Sequence, residues 1–301
     1  MPSYKILVVG ATGAQGSATI TALAGLAPSH HPDTDLKIIA LTRSADAPKA
    51  RALADKHPQL VELVQGDLTD PAAVLDAHSD IDAVFLVTVP PNDEAHGVAF
   101  IDAAIARGGI RHIVFSSVDR GGDDASWDRP TTVGHFAAKH RVELHLRAAA
   151  GESTSTRWTI LRPSGFMDNY RPGGAGSSMM AGLWETMPAD TKMQLVSVRD
   201  IGKVAAAVLL EGPDEWAGRA VGLAGDELTF AEADAAYQRV CGHAMPRTWD
   251  LVSRGVRWAV ADARQSMEWF EKEGFKVDTA LLRREGHELL DFESWLRSEK
   301  V

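Results

Sequence analysis

The sequence predicts an α/β fold built on a doubly wound parallel Rossmann sheet, with a smaller C-terminal α+β subdomain. A short apolar run near the N-terminus leads into glycines at three-residue spacing and then into a helical pattern. Strand and helix patterns alternate as far as residue 162, which is typical of a parallel sheet with helices on both faces. Beyond that point the alternation weakens, and seven of the eight tryptophans lie after residue 150.

The first strand and the turn that follows it carry the strongest local signal. Residues 6–9 form a continuous apolar run, as expected of a strand buried on both faces, and residues 17–27 form a helical pattern. Glycines between such a strand and helix let the backbone approach a pyrophosphate, whose charge the helix N-terminus favours; the alternative is an ordinary tight turn. We expect a dinucleotide site that includes Gly10, Thr12, Gly13, Ala14, Gln15 and Gly16.

The following segments supply the remaining strands and helices of the sheet. Asp70 is a favoured N-cap with Pro71 at the first helical position, and Gly108 with Gly109 ends a helix. Residues 28–35 are polar and residues 119–130 are acidic and glycine-rich, so we expect loops there. Strands are expected at 36–42, 61–64, 81–89, 112–118 and 158–161, and helices at 47–57, 70–78, 92–107 and 135–150.

The second half has a different organisation. Residues 165–190 include four glycines between 173 and 182, followed by Leu183 and Trp184. This composition predicts a mobile loop with an apolar tip, shaped like a substrate lid. We expect a Rossmann domain over 1–162 and a mainly substrate-side subdomain over 163–301, with segments such as 193–211 returning to the Rossmann core. Further helices are expected at 199–210, 230–240, 252–270 and 289–297, with a strand at 220–223.

Composition excludes several classes of function. The net charge of -10 and the absence of a Lys/Arg block argue against direct nucleic-acid binding. The single cysteine, Cys241, excludes an internal disulfide and a thiolate metal cluster, and its apolar helical setting predicts burial. The sequence contains no apolar run of membrane-spanning length, and we expect no secretory signal. We expect an intracellular, cytoplasmic protein.

Eight short motifs occur in one order along nearly the whole chain. They are GATGAQG (10–16), LTRS (41–44), VQGDLTD (64–70), HIVFSSV (112–118), HFAAKHRVELHLR (135–147), TILRPSGFMDN (159–169), VRDIGKVAA (198–206) and a tail of EKEGF with DFESWL (271–275, 291–296). Through them the chain resembles the NmrA-like family of atypical short-chain dehydrogenases. That family includes NADP-binding redox sensors, transcriptional co-regulators and true reductases.

The residues after the second strand favour NADP(H) over NAD(H). An acidic residue there would bind the ribose 2′-OH of NAD, whereas an arginine suits the 2′-phosphate. The sequence has Arg43 and Ser44, with Lys49 as a further charge, and no acid before Asp46; the alternative is that Arg43 is a solvated charge. The resemblance implies that Asp67 and Leu68 lie by the adenine and that Thr88 and Pro90 border the ribose and nicotinamide.

The family resemblance also supplies the candidate chemistry. Short-chain dehydrogenases use a Tyr-x-x-x-Lys helix, and the corresponding stretch here has His135 in place of the tyrosine and retains Lys139. Both side chains would face the same way on a helix. Lys139 is expected to hold the cofactor ribose, and His135 or Lys139 is the candidate for proton transfer. Family members that only sense NADP carry the same residues, so the non-catalytic alternative stays open.

Other polar and aromatic residues complete the candidate site. Ser116 and Ser117 stand near the family's catalytic serine, with hydrogen bonding to cofactor or backbone as the alternative role. Phe166, Met167, Asn169 and Tyr170 are expected to line the substrate cleft, although the apolar members fit a core equally well, and Tyr170 is a remote candidate proton donor. No metal site is expected, because His30 with His31 and Asp123 with Asp124 lack spaced partners.

Two functions of different classes follow. The favoured one is an NADPH-dependent oxidoreductase acting on a small organic carbonyl, imine, enal or quinone, as a monomer or homodimer. The other is a non-catalytic NADP(H) redox sensor that binds a protein partner. The missing tyrosine favours the sensor, whereas the glycine-rich segment 173–182 favours the enzyme.

Overall fold

The computed structural model describes residues 3–30, 35–78, 80–152 and 155–299. The chain divides into two compact units. The first unit consists of Met1–Ser117, Ala138–Arg162 and Ile201–Val221, and the second of Val118–Ala137, Pro163–Asp200 and Gly222–Val301. Each unit therefore combines segments that are distant in sequence.

Ten strands are formed by the described residues. They are β1 (Ser3–Val9), β2 (Asp35–Thr42), β3 (Val61–Gln65), β4 (Ala83–Val87), β5 (His112–Ser116), β6 (Arg157–Pro163), β7 (Gly165–Phe166), β8 (Met193–Val196), β9 (Arg219–Leu223) and β10 (Asp226–Leu228).

Fourteen α-helices and one short 3₁₀ helix, Met167–Tyr170, lie in the same described ranges. The α-helices are α1 (Ala14–His30), α2 (Pro48–Lys56), α3 (Pro71–Ala77), α4 (Asp93–Arg107), α5 (Asp123–Asp128), α6 (Gly134–Glu152), α7 (Ser177–Glu185), α8 (Val198–Glu211), α9 (Pro213–Trp216), α10 (Phe230–Cys241), α11 (Asp250–Ala259), α12 (Ala261–Lys272), α13 (Thr279–Arg284) and α14 (Phe292–Glu299).

The doubly wound parallel sheet predicted from the sequence is confirmed. Seven strands pair in the order β3-β2-β1-β4-β5-β6-β9, and the five neighbouring pairs from β3 to β6 run parallel. The order reverses between β1 and β4, which makes the crevice at their carboxyl ends a topological switch point, where open α/β sheets bind their ligands. The buried apolar runs of β1, β4 and β5 form the centre of this sheet because they are covered on both faces.

A buried ion pair fixes α6 to the sheet within the first unit. Glu143 of α6 is fully buried and Arg162 of β6 is 1% exposed. The guanidinium Nη2 donates to Glu143 Oε2 at 2.7 Å, and Nε donates to the same carboxylate at 3.2–3.3 Å. Two such donors on one carboxylate match its fork geometry, and each buried charge lies beside one of opposite sign.

The second unit has its own small sheet and its own apolar core. Strands β10, β8 and β7 pair in that order, antiparallel and then parallel. Trp184 packs at 5.1 Å from Tyr170 and Phe292 stacks on Trp295 at 5.6 Å, between ring centroids. These rings belong to one buried cluster, so much of the bulky apolar surface of the second half is core.

Several sequence expectations are wrong. The segment predicted as a mobile loop at 165–190 contains β7, the 3₁₀ helix and α7, and the two residues expected at its tip, Leu183 and Trp184, are buried. The single helix predicted at 252–270 is two helices that meet at Val260. Apolar packing into a core, which glycine content does not reveal, accounts for the first difference.

Other differences are smaller. The loop expected at 119–130 contains α5, and the helix predicted to start at residue 17 begins at Ala14. The loop expected at 28–35 is partly the end of α1, and its residues 31–34 lie outside the described ranges. Cys241, predicted to be buried, is partly exposed at the end of α10. The Asp70 cap is confirmed, since its Oδ1 accepts from the Ala73 N–H at 3.1 Å.

Replacing Arg162 by Leu is expected to lower the free energy of unfolding by about 3–5 kcal/mol, because it leaves the Glu143 carboxylate buried without its cation. Urea unfolding followed by circular dichroism measures the loss. The double variant Glu143→Leu/Arg162→Leu removes both charges and is expected to regain most of it. A double variant no more stable than Arg162→Leu alone would contradict this account of the pair.

Candidate functional site

The glycine-rich turn brings β1 and α1 into close contact. Gly10 has a left-handed backbone with φ +68°, and its carbonyl accepts from the Gly13 N–H at 2.9 Å. A Cβ on Gly16 would collide with the Gly10 oxygen and lie 2.8 Å from its carbonyl carbon. Only glycine therefore lets α1 start this near to the strand. The first N–H groups of a helix have no intrahelical acceptor, so this N-terminus suits an anion.

Lys139 connects the ends of two neighbouring strands. Its Nζ donates to the main-chain oxygens of Thr88, after β4, at 3.2 Å and of Ser116, at the end of β5, at 3.0 Å. The Ser116 hydroxyl in turn donates to Oε1 of Gln15 on α1 at 2.5 Å. The predicted lysine, serine, glutamine and glycine turn are thus brought together at the switch point of the sheet.

A buried hydroxyl at this place lacks a partner within the described part of the chain. Thr88 is 2% exposed, and its Oγ1 makes no hydrogen bond to a described residue. Buried polar atoms in folded proteins are nearly always satisfied by protein, water or ligand. The orphan hydroxyl and the helix N-terminus together fit the ribose and pyrophosphate of a dinucleotide.

The residues expected to bind a 2′-phosphate follow β2. Arg43, Ser44 and Lys49 are exposed. Asp46, the nearest acid, forms an ion pair with Arg51 at 2.8 Å. Arg43 offers the fork of donors that a phosphate needs.

The residues expected near the adenine and the ribose lie at the ends of their strands. Asp67 Oδ1 accepts from the Thr69 N–H at 3.0 Å, in the turn before α3, and Leu68 is half-buried. Pro90 is exposed, two residues after Thr88. Ser117 is buried, and its N–H donates to the Leu161 oxygen at 2.8 Å. Its main chain is therefore hydrogen-bonded to β6.

His135 has a carboxylate partner within the second unit. Its Nδ1 lies 3.1 Å from Oδ1 of Asp262, in the first turn of α12. The neighbouring Phe136 packs edge-on against Trp269 at 5.1 Å between centroids, and both belong to one apolar cluster. Because α12 is held against the start of α6 by this cluster, the imidazole has a defined orientation.

Asp262 is absent from the candidates drawn from the sequence. It lies 127 residues beyond His135, in a segment with no recognisable motif. The contact follows from packing of aromatic residues on α12, which spacing along the chain does not reveal.

The four residues expected to line a substrate cleft have different surroundings in the second unit. Met167 and Tyr170 are buried in the apolar cluster around Trp184, whereas Phe166 is half-buried and Asn169 is exposed. Complete burial raises the pKa of Tyr170 well above its ordinary value. A neutral phenol held in a core is a poor proton donor, which favours the core role left open for this tyrosine.

The remaining acidic and histidine candidates are described separately. His30 Nδ1 lies 3.0 Å from the Leu26 oxygen, Asp123 and Asp124 form the first turn of α5, and His31 lies outside the described residues. Within the ranges that the structure describes, no three His, Cys, Asp or Glu side chains group as metal ligands would. None of the helices described there is long and apolar enough to span a bilayer.

Comparison with known proteins agrees with the motifs. The model of the NmrA-like family matches residues 2–249. The chain belongs to the NmrA-like family. One curated relative is the (4-alkanoyl-5-oxo-2,5-dihydrofuran-3-yl)methyl phosphate reductase of Streptomyces griseus subsp. griseus, to which this NmrA-like chain is 32% identical over 247 residues. Another is the NAD(P)H azoreductase of Xenophilus azovorans, with 28% identity over 238 residues. Each alignment covers 79% of this chain and 74% of the relative.

Solved structures share the fold of this NmrA-like chain. The triphenylmethane reductase of Citrobacter sp., complexed with NADP(H), has a TM-score of 0.72 at 19% identity, with 98% of this chain and 99% of that one covered. NmrA, a negative transcriptional regulator in complex with NADP, has a TM-score of 0.68 at 18% identity, with 99% and 95% covered. One fold therefore occurs in proteins with both kinds of role.

The contact at Gly16 predicts opposite effects for two substitutions in α1. Gly16→Ala is expected to lower the free energy of unfolding by about 1–3 kcal/mol, because the methyl group overlaps the Gly10 backbone. Gly25→Ala, where a Cβ would meet nothing within 4 Å, is expected to raise it by about 0.5–1 kcal/mol. Urea unfolding of both variants measures the two effects. Equal effects would mean that Gly16 is an ordinary helix position.

Proposed function

We propose that this protein binds NADP(H) and reduces a small organic carbonyl, imine, enal or quinone. The observation that carries the proposal is the Lys139 ammonium, held by the Thr88 and Ser116 oxygens at the switch point beside the glycine-rich turn. The names of the two curated relatives, both reductases, support the same class of reaction.

The cofactor is assigned to the first unit. The N-terminus of α1 takes the pyrophosphate, Arg43 with Ser44 takes the 2′-phosphate, and Asp67 with Leu68 borders the adenine. Lys139 and the Thr88 hydroxyl hold the nicotinamide ribose, and Gln15, held by Ser116, borders the same place. When bound, NADPH supplies the hydride.

The chain's own contribution to the chemistry is a proton. Reduction of a carbonyl or related acceptor creates an anion that a nearby group must protonate. With Nδ1 facing Asp262, the His135 imidazole donates its Nδ1–H to that carboxylate, which leaves Nε2 as the atom that gives and takes the proton. Asp262 is then a positioning residue that sets the tautomer and the orientation of the imidazole. Phe166 and Asn169 remain the candidates for contact with substrate.

The alternative function is a redox sensor that binds a protein partner in one cofactor state. Its support is the absence of the tyrosine of short-chain dehydrogenases at position 135, together with the shared fold of the regulator NmrA. A sensor needs the cofactor site alone, so it predicts NADP(H) binding with no consumption of NADPH by any acceptor. Screening ketones, imines, enals and quinones for NADPH oxidation separates the two functions.

Calorimetric titration with NADPH, NADP, NADH and NAD tests the cofactor assignment. The phosphorylated pair is expected to bind at least about tenfold more tightly, which is about 1.4 kcal/mol. Arg43→Ala is expected to remove this preference because the 2′-phosphate loses its cation. The control Lys56→Ala removes an exposed positive charge at the end of α2 and is expected to leave the preference unchanged. Equal affinity for all four dinucleotides, or no binding, would overturn the assignment.

Turnover by variants tests the His135–Asp262 pair. Asp262→Asn is expected to lower kcat about 10–100-fold, as loss of a partner that orients a histidine does, with the KM for NADPH unchanged. His135→Tyr restores the proton donor of short-chain dehydrogenases, so Asp262→Asn added to it has no further effect. Asp250→Asn, in the first turn of α11, is the matched control. A wild-type kcat in Asp262→Asn would contradict the positioning role.

A further inference from the structure

Asp93, at the start of α4, is a buried carboxylate without a partner in the described part of the chain. The residue is 3% exposed. Its Oδ2 is shut off from solvent and accepts no hydrogen bond from a described residue, and the ion pairs within the same ranges do not include it. Burying a carboxylate is costly unless a partner compensates its charge. Such a group indicates a place where a bound molecule supplies the partner.

The side chain of Asp93 lies on the side of α4 that faces α6 and the end of β4. Gly97 comes four residues later and therefore shares this side of the helix. A Cβ on Gly97 would lie 2.8 Å from Cγ2 of Val142, on α6, and 3.5 Å from Cγ2 of Thr88. The Asp93 carboxylate and the orphan hydroxyl of Thr88 thus belong to one region of the first unit.

Lys139 belongs to the same region, because α4 and α6 lie side by side. Three contacts join the helices in the same order along both: Glu94 with Arg141 at 2.7 Å, Gly97 with Val142, and Asp102 with His145 at 2.6 Å. The helices therefore run in the same direction, with their N-termini together. Lys139 precedes Val142 by three residues and donates to the Thr88 oxygen at 3.2 Å. Since packed helices have axes about 8–10 Å apart, the Asp93 carboxylate lies within roughly 10 Å of the Lys139 ammonium.

The cations on the facing part of α6 are engaged with other groups. Arg141 Nη2 lies 2.7 Å from Oε2 of Glu94, and the pKa of this guanidinium is raised first by that hydrogen bond and least by Asp93. Lys139 donates to two main-chain oxygens and forms no ion pair with Asp93. The region therefore contains a buried carboxylate and an ammonium that do not neutralise each other by direct contact.

The two redox states of a nicotinamide cofactor differ in the charge that this region would meet. The ring of NADP is positively charged and the ring of NADPH is neutral, and the ring is bonded to the ribose that the proposed function assigns to Lys139 and Thr88. An ammonium disfavours the charged ring, whereas a carboxylate favours it. The phosphates are the same in both states, so their interactions cancel in a comparison of the two affinities.

We propose that Asp93 is a further residue of the cofactor site, where it stabilises the positively charged nicotinamide of NADP and offsets the charge of Lys139. The proposal rests on the NADP(H) site of the proposed function. It does not depend on catalysis, because a reductase and a redox sensor both have to bind the two redox states. Without the Asp93 charge, the ammonium acts alone and the site prefers the reduced cofactor.

Calorimetric titration of the full chain with NADP and NADPH measures this effect as the ratio of the two dissociation constants, NADP over NADPH. Asp93→Asn removes the charge at nearly constant shape and is expected to raise the ratio at least about tenfold. That change is about 1.4 kcal/mol, which a unit charge supplies from about 12 Å at an effective dielectric constant of about 20. Lys139→Met is expected to lower the ratio by a similar factor. The double variant Asp93→Asn/Lys139→Met is expected to return it to within about threefold of the wild type.

Two further variants complete the experiment, and circular dichroism reports the folding of each. Asp102→Asn removes an exposed carboxylate from the same helix and is expected to leave the ratio unchanged. Asp93→Ser, which is smaller and also uncharged, is expected to raise the ratio as Asp93→Asn does, so that a folding defect in one variant does not decide the result.

A purely structural role of Asp93 gives a different outcome. Its loss would then weaken the binding of both redox states equally and leave the ratio at the wild-type value, which would overturn the proposal. A ratio that moves in the same direction in Asp93→Asn and in Lys139→Met would also overturn it. If the wild type binds neither dinucleotide, the proposed cofactor site is wrong as well, and this outcome is distinguished from the others by the wild-type titration alone.

Discussion

The buried pair of Glu143 and Arg162 is the interaction on which the candidate site depends. An apolar contact between α6 and β6 could slide, but a buried bidentate ion pair requires a defined geometry. Four residues before Glu143, at Lys139, the same helix contacts the oxygens after β4 and at the end of β5. The salt bridge between Glu143 and Arg162 thus helps to set the position of the Lys139 ammonium, one helical turn away on α6.

Much of the first unit could be predicted because its signals are local. Continuous apolar runs identify β1, β2 and β5, Asp70 with Pro71 marks the start of α3, and Gly108 ends α4 at a positive φ of 72°. The expectations for the glycine-rich turn and for Arg43 with Ser44 use the same local signals, whereas those for Asp67, Leu68, Thr88, Pro90 and Lys139 depend on the family resemblance.

What could not be predicted depends on contacts between distant segments. The glycines in 173–182 suggested a loop. Helix α7 nevertheless forms, because Leu183 and Trp184 pack into an apolar core with residues of α10 and α14. Val260 separates two helices whose apolar pattern is continuous in sequence. The pairing of His135 with Asp262 arises in the same way, through aromatic packing across 127 residues. In each case the deciding neighbour is remote, so no local pattern encodes it.

The way in which Lys139 is held has a consequence for how this protein can change over time. Two of its acceptors, at positions 88 and 116, are main-chain oxygens, and every amino acid supplies one. Side chains at these two strand ends can therefore be replaced without removing these two partners of the ammonium. Such an arrangement tolerates mutation in its surroundings, so the specificity of the pocket can diverge among descendants while the lysine keeps its place.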